Sequence, residues 1–454
     1  MKKSVLLPTD ENLVLTIKED LLDRNSELNS FCHLLSNQNS INSIALDGRW
    51  GSGKTFFVKQ CALLLNAKNS LSDLDKQLTN EVLEVCKKSN SFDGLQDNNL
   101  LAIYYDAWEN DSEEDPVLSL IYRITQQLDL KTNKFDMDYF ADLFFAVADA
   151  ITDRPISNVL KCAKEKDFLD VIHKNDGLNT TITKFFNDGL FKNAEQIVIF
   201  IDELDRCRPS YAVRLLERIE HYFINERITF VFSVNIEQLQ HTIKNFYGND
   251  FDACRYLDRF FDLRLSLPHA NLTKFYQGLN IFDVDESSSV LKQIQKTFNL
   301  SLRELCKFID SVNFSGKNNM HNETQWFMFK YIIMLSLALK IIDVTLHEDF
   351  INGKDWQPLL DLYDNDFGAC ICSKLLNNDE TLVDGPTNTY SETEKEEVTR
   401  EDKLIELYEA IFTKNYTNVD YVTRVGSYAF TKDSKQFIFD VESSLSNYFC
   451  FDWE

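Results

Sequence analysis

The residues most clearly suited to chemistry form one glycine-rich octapeptide near the amino terminus. The segment GRWGSGKT, from Gly48 to Thr55, satisfies the spacing G-x-x-x-x-G-K-[ST]. In such a turn the glycines let backbone N–H groups surround phosphates, and the lysine reaches the β- and γ-phosphates. The alternative, a glycine-rich turn that fits by accident, is disfavoured because a strand-like run precedes it and a helical run follows. The residues predicted to bind a nucleotide here are Gly48, Trp50, Gly51, Ser52, Gly53, Lys54, Thr55 and Phe56.

A second group of candidates lies where an apolar strand ends in two acids. The run Ile197–Ile201 is followed directly by Asp202 and Glu203. The Thr55 hydroxyl is predicted to bind Mg²⁺ and Asp202 to hold the ion through its water shell, while Glu203 orients and activates the attacking water. For Glu203 the alternative is a solvated acid that caps a helix, because acids are common at the carboxyl edge of a sheet. We therefore predict hydrolysis of a nucleoside triphosphate, with Lys54, Asp202 and Glu203 as catalytic residues.

Further polar residues are candidates for sensing the γ-phosphate. The apolar run Ile228–Val234 ends at Asn235, whose amide is predicted to report nucleotide state; the alternative is an asparagine that forms a turn. Charge that develops on a transferred phosphoryl group calls for a second cation, and arginine fits phosphate geometry best. Each arginine is alternatively a surface or salt-bridge residue. The candidates are Arg206, Arg255, Arg259 and Arg303, of which Arg259 and Arg303 are assigned to catalysis.

Five short apolar runs supply the strands that must position these residues. Each is nearly continuous and is bounded by polar or turn residues, which is typical of central strands covered on both faces. Helical patterns alternate with these runs and indicate a doubly wound α/β domain. We therefore predict an α/β P-loop NTPase fold with a mostly parallel five-stranded sheet, a helical insertion and a helical carboxyl-terminal region. The predicted strands are Ser43–Asp47, Leu100–Tyr105, Ile197–Ile201, Ile228–Val234 and Leu263–Leu267.

The chain divides by pattern into successive regions. Residues 1–270 form the predicted P-loop NTPase domain, with a helical insertion at about 110–195. Residues 271–383 carry helical stripes and are predicted to form a lid or carboxyl-terminal domain. A polar, acidic linker is expected at 384–403, followed by an α/β appendage at 404–454.

Composition excludes several classes of function. The 454-residue chain carries 47 basic and 72 acidic residues, a net charge of −25. A field of that sign repels phosphate backbones at long range, so general nucleic-acid binding is not expected. The ten cysteines show no paired framework and point to the cytoplasm. The amino terminus has too short an apolar core for a secretory signal, and the best apolar patch, Tyr139–Ile151, is too short for a membrane span.

Together these segments resemble the KAP family of P-loop NTPases. The run Ile199–Cys207, with the sequence IFIDELDRC, is similar to the family's Walker B signature. The segment Tyr105–Glu109 is similar to the family's strand-plus-tryptophan element, and Phe230–Ile236 and Tyr256–Phe261 support the resemblance. It covers about residues 20–315.

The resemblance implies an ATPase domain related to the AAA-like and STAND lineages, with ATP and Mg²⁺ as ligands. Many members carry membrane spans between the two Walker motifs, whereas this chain has only a short apolar patch there. Many relatives also have an acid where Asn235 stands. Bacterial members include phage-exclusion proteins, and STAND relatives assemble as switches. The resemblance places Lys54, Thr55, Asp202 and Glu203 in the roles given above, and Arg303 as a lid arginine.

Three functions are compatible with these residues. The first is an ATP-driven switch, in which nucleotide state changes the packing of the region after Pro268 and controls self-association or a partner effector protein, for example in phage defence. The second is a P-loop kinase, disfavoured because the insertion and the carboxyl-terminal half are too large and acidic for a simple lid. The third is a scaffold with a structural nucleotide, since binding and hydrolysis share most of their residues.

Overall fold

In the computed structural model the chain forms two units, Met1–Leu279 and Asn280–Glu454. Each unit has buried apolar side chains of its own, such as Phe200 in the first and Tyr363 in the second. The residues that the structure describes are 7–37, 41–69, 72, 74–92, 99–113, 115–127, 182–183, 185–191, 194–223, 225–278, 286–315, 320–383, 396–416 and 421–449.

The first unit is built around a sheet of five parallel strands in the order β2-β3-β4-β1-β5. The predicted α/β P-loop fold with a mostly parallel five-stranded sheet is therefore confirmed. Strands β3 and β4 are buried along almost their whole length because helices cover both faces of the sheet. The strands are β1 (Ser43–Asp47), β2 (Leu100–Asp106), β3 (Gln196–Asp202), β4 (Ile228–Val234) and β5 (Leu263–Ser266).

Helices follow the strands in alternation, as the apolar periodicity predicts. Short 3-10 turns at Asn90–Phe92 and Leu204–Arg206 and a π-helical turn at Phe185–Leu190 complete the described part of the unit. The helices are α1 (Asp10–Glu19), α2 (Asn25–Asn37), α3 (Lys54–Lys68), α4 (Lys76–Lys88), α5 (Pro116–Gln127), α6 (Pro209–Tyr222), α7 (Ile236–Tyr247), α8 (Ala253–Asp258) and α9 (Leu272–Gly278).

The two faces of the sheet carry separate apolar clusters, because successive side chains of a strand point to opposite faces. One cluster joins Phe200 and Val231 to helices α1 to α4. The other joins Ile199 and Phe232 to helices α5, α6 and α7. Asp202 follows Phe200 by two residues, so it lies on the face that packs against α3.

The predicted insertion at about 110–195 is described only in part. Helix α5 and the π-helical turn Phe185–Leu190 lie within it. Residues 128–181 lie outside the described residues, and the apolar patch Tyr139–Ile151 falls among them.

The second unit is mainly helical. It also contains the parallel pair β6 (Glu380–Leu382) and β7 (Glu396–Val398) and the antiparallel pair β8 (Thr423–Val425) and β9 (Tyr428–Phe430). Its helical segments are α10 (Glu286–Phe298), α11 (Leu302–Ser315), α12 (Glu323–Met328), the π-helical turn Phe329–Ile333, α13 (Met334–Ile342), α14 (Val344–Ile351), α15 (Gln357–Tyr363), α16 (Asp366–Cys372), the 3-10 turn Ser373–Leu375, α17 (Arg400–Phe412) and α18 (Lys432–Phe449).

Regular structure begins inside the segment 384–403, for which a linker is expected. Residues 384–395 lie outside the described part of the chain, whereas 396–398 form β7. Thr399 then caps α17: its hydroxyl accepts a hydrogen bond from the Asp402 N–H, and the Asp402 carboxylate accepts one from the Thr399 N–H. A strand and the start of a helix therefore lie within this polar segment. Its composition resembles that of a linker because a capping box uses the same residue types.

One helix of the second unit, within the region 271–383 for which helical stripes are predicted, is strongly apolar. Glu323–Ile342, which runs through α12, the π-helical turn and α13, is long and apolar enough to cross a membrane, with a mean hydropathy of 1.5. However, 67% of its apolar window is buried inside the protein. The core helix of a globular unit has the same length and composition, so this is weak evidence for a membrane span.

Candidate active site

The octapeptide Gly48–Thr55 forms the turn between β1 and α3. Gly51 and Gly53 have φ angles of 76° and 94°, a left-handed backbone that side chains with a Cβ rarely adopt. A Cβ on Gly48 would lie 3.0 Å from Ser52 Oγ, and the Gly48 N–H donates to Val234 O at 3.1 Å. The spacing of the glycines is thus required by the backbone of the turn.

Lys54 begins α3 and folds back over this turn. Its Nζ donates to Gly48 O at 2.6 Å and to Arg49 O at 3.3 Å. The side chain is buried, and this burial lowers the pKa of Lys54, while Asp205 and Asp202 act in the opposite direction. A cation is therefore held at the centre of the turn by backbone carbonyls rather than by a carboxylate.

Asp202, the last residue of β3, is fully buried. Tyr104 of β2 donates its hydroxyl to Asp202 Oδ2 at 3.0 Å. Burial and the charge of Asp202 raise the pKa of Tyr104 well above its ordinary value, so the hydroxyl stays a donor. The second oxygen, Asp202 Oδ1, is buried and has no hydrogen-bond partner among the described residues. One oxygen is thus fixed while the other remains available to a ligand.

Glu203 is held in an unusual position immediately after β3. Its backbone is left-handed, with φ 59° and ψ 23°, and its carboxylate forms an ion pair with Arg206. Burial and the charge of Asp202 raise the pKa of Glu203 to about 7, although Arg206 acts to lower it. Its side chain is 15% exposed and caps no helix. The side chain thus has neither property of the solvated capping acid considered as its alternative role.

The comparison with known families agrees with this geometry. A family model described as the KAP family P-loop domain matches residues 24–318. The chain belongs to the KAP family. No curated protein matches it. As a KAP-family P-loop NTPase it binds a nucleotide, and this class of site commonly takes a divalent metal as well.

Arg206 connects three segments of this KAP-family site. Its guanidinium lies 5.6 Å from the Trp50 ring centroid and 5.6 Å from that of Trp108. The contact with Glu203 is an ion pair without aligned hydrogen-bond geometry at Nε. Trp50 Nε1 also donates to Asp205 Oδ2 at 2.5 Å. The Gly48–Thr55 turn is therefore tied to the residues that follow β3 through an aromatic and ionic cluster.

Thr55 and Phe56 lie in the first turn of α3. The Thr55 side chain is half-buried, and the Phe56 ring packs against the apolar cluster on the α3 face of the sheet. Their contacts with a metal ion and a nucleotide remain predictions.

Asn235 caps α7 in this KAP-family structure. Its side-chain oxygen accepts a hydrogen bond from the Gln238 N–H at 3.2 Å. The helix-capping role corresponds to the turn-forming alternative, and it uses the amide oxygen, whereas a hydrogen bond to a phosphate would be donated by the amide NH2 group. Contact of the amide with a nucleotide remains a prediction.

Of the two arginines assigned to catalysis, Arg259 makes none of the contacts described above. Arg259 is exposed and follows α8, just before β5 begins. Three residues later, Asp262 accepts hydrogen bonds from the N–H groups of Asn42 and Ser43 at the amino end of β1. Asp202 lies at the opposite, carboxyl edge of the same sheet. Arg303 is exposed at the start of α11 in the second unit, and its role remains a prediction.

Sequence reasoning missed several residues that the structure brings to the site. Tyr104 and Asp205 contact the predicted residues as described, and Arg24 Nη1 donates to Ser52 O at 3.1 Å. Burial lowers the pKa of Arg24 to about 10. For Asp205 the signal was the run of charged residues directly after the predicted strand, in which Arg206 was already a candidate. Tyr104 carries no such signal, because its contact depends on which strand lies beside β3.

Proposed function

We propose that this KAP-family protein hydrolyses ATP with Mg²⁺ and works as a nucleotide-dependent switch. The observation that carries the proposal is the pair of unlike acids at the end of β3. Asp202 is buried with one oxygen that has no hydrogen-bond partner among the described residues, whereas Glu203 has a pKa of about 7. A base whose pKa lies near the working pH is well suited to take a proton from water.

The donor set fits Mg²⁺, which prefers carboxylate and hydroxyl oxygens. Asp202 Oδ1 and Ser233 Oγ are both buried without a partner in the described part of the chain, and the two residues are paired in register on β3 and β4. Such oxygens are commonly satisfied by water or an ion. Thr55 and Asp202 would hold the metal, which when bound neutralises charge on the phosphates.

In the proposed reaction the chain's own residues bind, orient and move one proton. The N–H groups of the turn and the Lys54 ammonium bind the β- and γ-phosphates. Glu203 accepts a proton from water as the water oxygen bonds to the γ-phosphorus and the bond to the ADP oxygen breaks. Its ion pair with Arg206 must loosen for this step, so we expect slow turnover in the isolated chain.

A second cation for the developing charge is proposed to come from another copy of the chain. Arg259 is exposed at the amino side of β5, whereas Lys54 and Asp202 lie at the carboxyl edge of the sheet. An exposed arginine in that place suits contact with a neighbouring subunit's γ-phosphate better than contact with its own. Arg303 is proposed as an additional, lid-type arginine.

The switch is proposed to act through the region after Pro268, with self-association or an effector protein as the output. The division of the chain at 270, 383 and 403 and a cytoplasmic location belong to the same proposal. Phage defence is a setting implied by the family resemblance. Neither general nucleic-acid binding nor attachment through a membrane span is part of the proposal.

The direct test is release of inorganic phosphate from ATP and Mg²⁺ without any acceptor. We expect slow release by the parent protein and loss of nucleotide binding in Lys54→Ala. In Glu203→Gln we expect retained ATP with kcat lower by about 100-fold or more, the usual contribution of a general base. Release only in the presence of an acceptor would indicate a kinase instead. Tight retention with zero release in the parent would indicate a structural nucleotide.

A further inference from the structure

Tyr104 stands out because it contacts one expected metal ligand, Asp202, and the helix that carries the other, Thr55. It lies on β2, beside β3, and its register partner there is Phe200. Since Phe200 and Asp202 share a face of β3, the Tyr104 hydroxyl reaches the carboxylate at 3.0 Å. The bond occupies Asp202 Oδ2 and leaves Oδ1 without a partner in the described residues.

The ring of Tyr104 is held by the helix that follows the phosphate-binding turn. Lys59 of α3 places its Nζ 4.4 Å from the ring centroid. Thr55 lies four residues before Lys59 on α3, so the two side chains share one face of that helix. The chain of contacts from Lys59 through Tyr104 to Asp202 thus fixes the α3 face that carries Thr55 relative to the end of β3.

We propose that Tyr104 is a positioning residue for the metal ion, acting through Asp202. This inference rests on the proposed Mg²⁺–nucleotide site. Hydrogen bonds from outer residues orient a metal-ligating carboxylate and set which of its oxygens faces the ion. Without the tyrosine hydroxyl, both oxygens of the buried carboxylate lack a fixed donor, and the side chain has a choice of rotamers.

The neighbouring residue offers a matched control for a purely structural role. Tyr105 is buried, whereas Tyr104 is half-buried, and Tyr105 points to the other face of the sheet, where its hydroxyl contacts those of Ser119 and Tyr211. Tyr105→Phe therefore also removes one tyrosine hydroxyl from β2 without touching Asp202. Any effect common to both variants reflects stability, and only a difference between them reflects positioning.

The experiment measures Mn²⁺ affinity by electron paramagnetic resonance in the presence of a non-hydrolysable ATP analogue. This readout does not depend on turnover. We expect Mn²⁺ binding to weaken about tenfold in Tyr104→Phe, as is usual when an outer-shell partner of a metal ligand is lost. Tyr105→Phe should keep the parent's Mn²⁺ affinity, and nucleotide affinity in EDTA should match the parent's in both variants.

Each other result overturns the inference. An Mn²⁺ affinity of Tyr104→Phe equal to that of the parent, or the same loss in Tyr105→Phe, would show that the hydroxyl has only a structural role. Thermal unfolding of both variants establishes that they are compared as folded proteins. A parent protein that binds the nucleotide analogue but no Mn²⁺ would overturn the metal site itself, and one that binds neither would overturn the proposed function.

Discussion

Replacing Arg206 by alanine should move the acid limb of the pH–rate profile for ATP hydrolysis to higher pH. Glu203 must be ionised to act as a base, and its pKa of about 7 already includes the lowering effect of Arg206. Removing the guanidinium removes a charge that favours the carboxylate, so the pKa of Glu203 rises. The base is then protonated at pH 7 and becomes active only in more alkaline solution.

The size of the shift follows from the ion pair. At about 4 Å and an effective dielectric constant of about 20, two unit charges attract by about 4 kcal/mol. One pKa unit corresponds to about 1.4 kcal/mol, so this attraction sets an upper bound of about 3 units. The Arg206 and Glu203 side chains are 22% and 15% exposed, and solvent screens part of the interaction. We therefore expect the pKa to rise by about 1 to 2 units, to about 8 or 9.

The assay is kcat/KM for phosphate release between pH 5.5 and 9.5, because this ratio reports ionisation in the free protein. The parent should lose activity below about pH 7, and Arg206→Ala below about pH 8 to 9. Arg206→Lys keeps the charge and is the matched control, with a profile close to that of the parent. An acid limb in Arg206→Ala that stays in place or moves to lower pH would refute the assignment of Glu203 as the base or of Arg206 as its partner.

Two further predictions concern stability. Gly53→Ala should lower the free energy of unfolding by about 1–2 kcal/mol, because Gly53 has a φ of 94°. Thermal unfolding measures this loss, with Ser52→Ala as the control, and equal stability of the two variants would contradict the prediction. Lys403→Met should lower the free energy of unfolding, measured in urea, by about 3 kcal/mol. The Lys403 side chain is 2% exposed and forms an ion pair with Glu380, which loses this cation in the variant. Lys354→Met removes an exposed pair, and a similar cost there would count against this reasoning.

The strands were predictable because central parallel strands are encoded by their own composition. The bounds of β1 and β4 match the apolar runs, β3 gains one residue at each end, and β2 gains Asp106. Strand β5 ends one residue before the prediction, at Ser266. The Gly48–Thr55 turn was equally predictable, since Gly51 and Gly53 adopt backbone angles that favour glycine.

The cluster around the turn could not be predicted, because it depends on strand order and register. Nothing local places Tyr104 next to Asp202, since β2 and β3 are separated by about ninety residues and meet only in the sheet. Similarly, the position of Arg206 between Trp50 and Trp108 requires the turn and the ends of two strands to be assembled. Asn235 illustrates another limit, because an asparagine after a strand has the same sequence signal whether it caps a helix or contacts a ligand.

The most direct measurement is a structure of the Glu203→Gln protein determined with ATP and Mg²⁺. The account predicts a triphosphate enclosed by the Gly48–Thr55 turn, with the γ-phosphate at Lys54 Nζ and the metal between the Thr55 hydroxyl and Asp202. A structure in which Lys54 Nζ still donates to the Gly48 and Arg49 carbonyls and no phosphate lies in the turn would contradict the account. So would a nucleotide bound elsewhere on the protein.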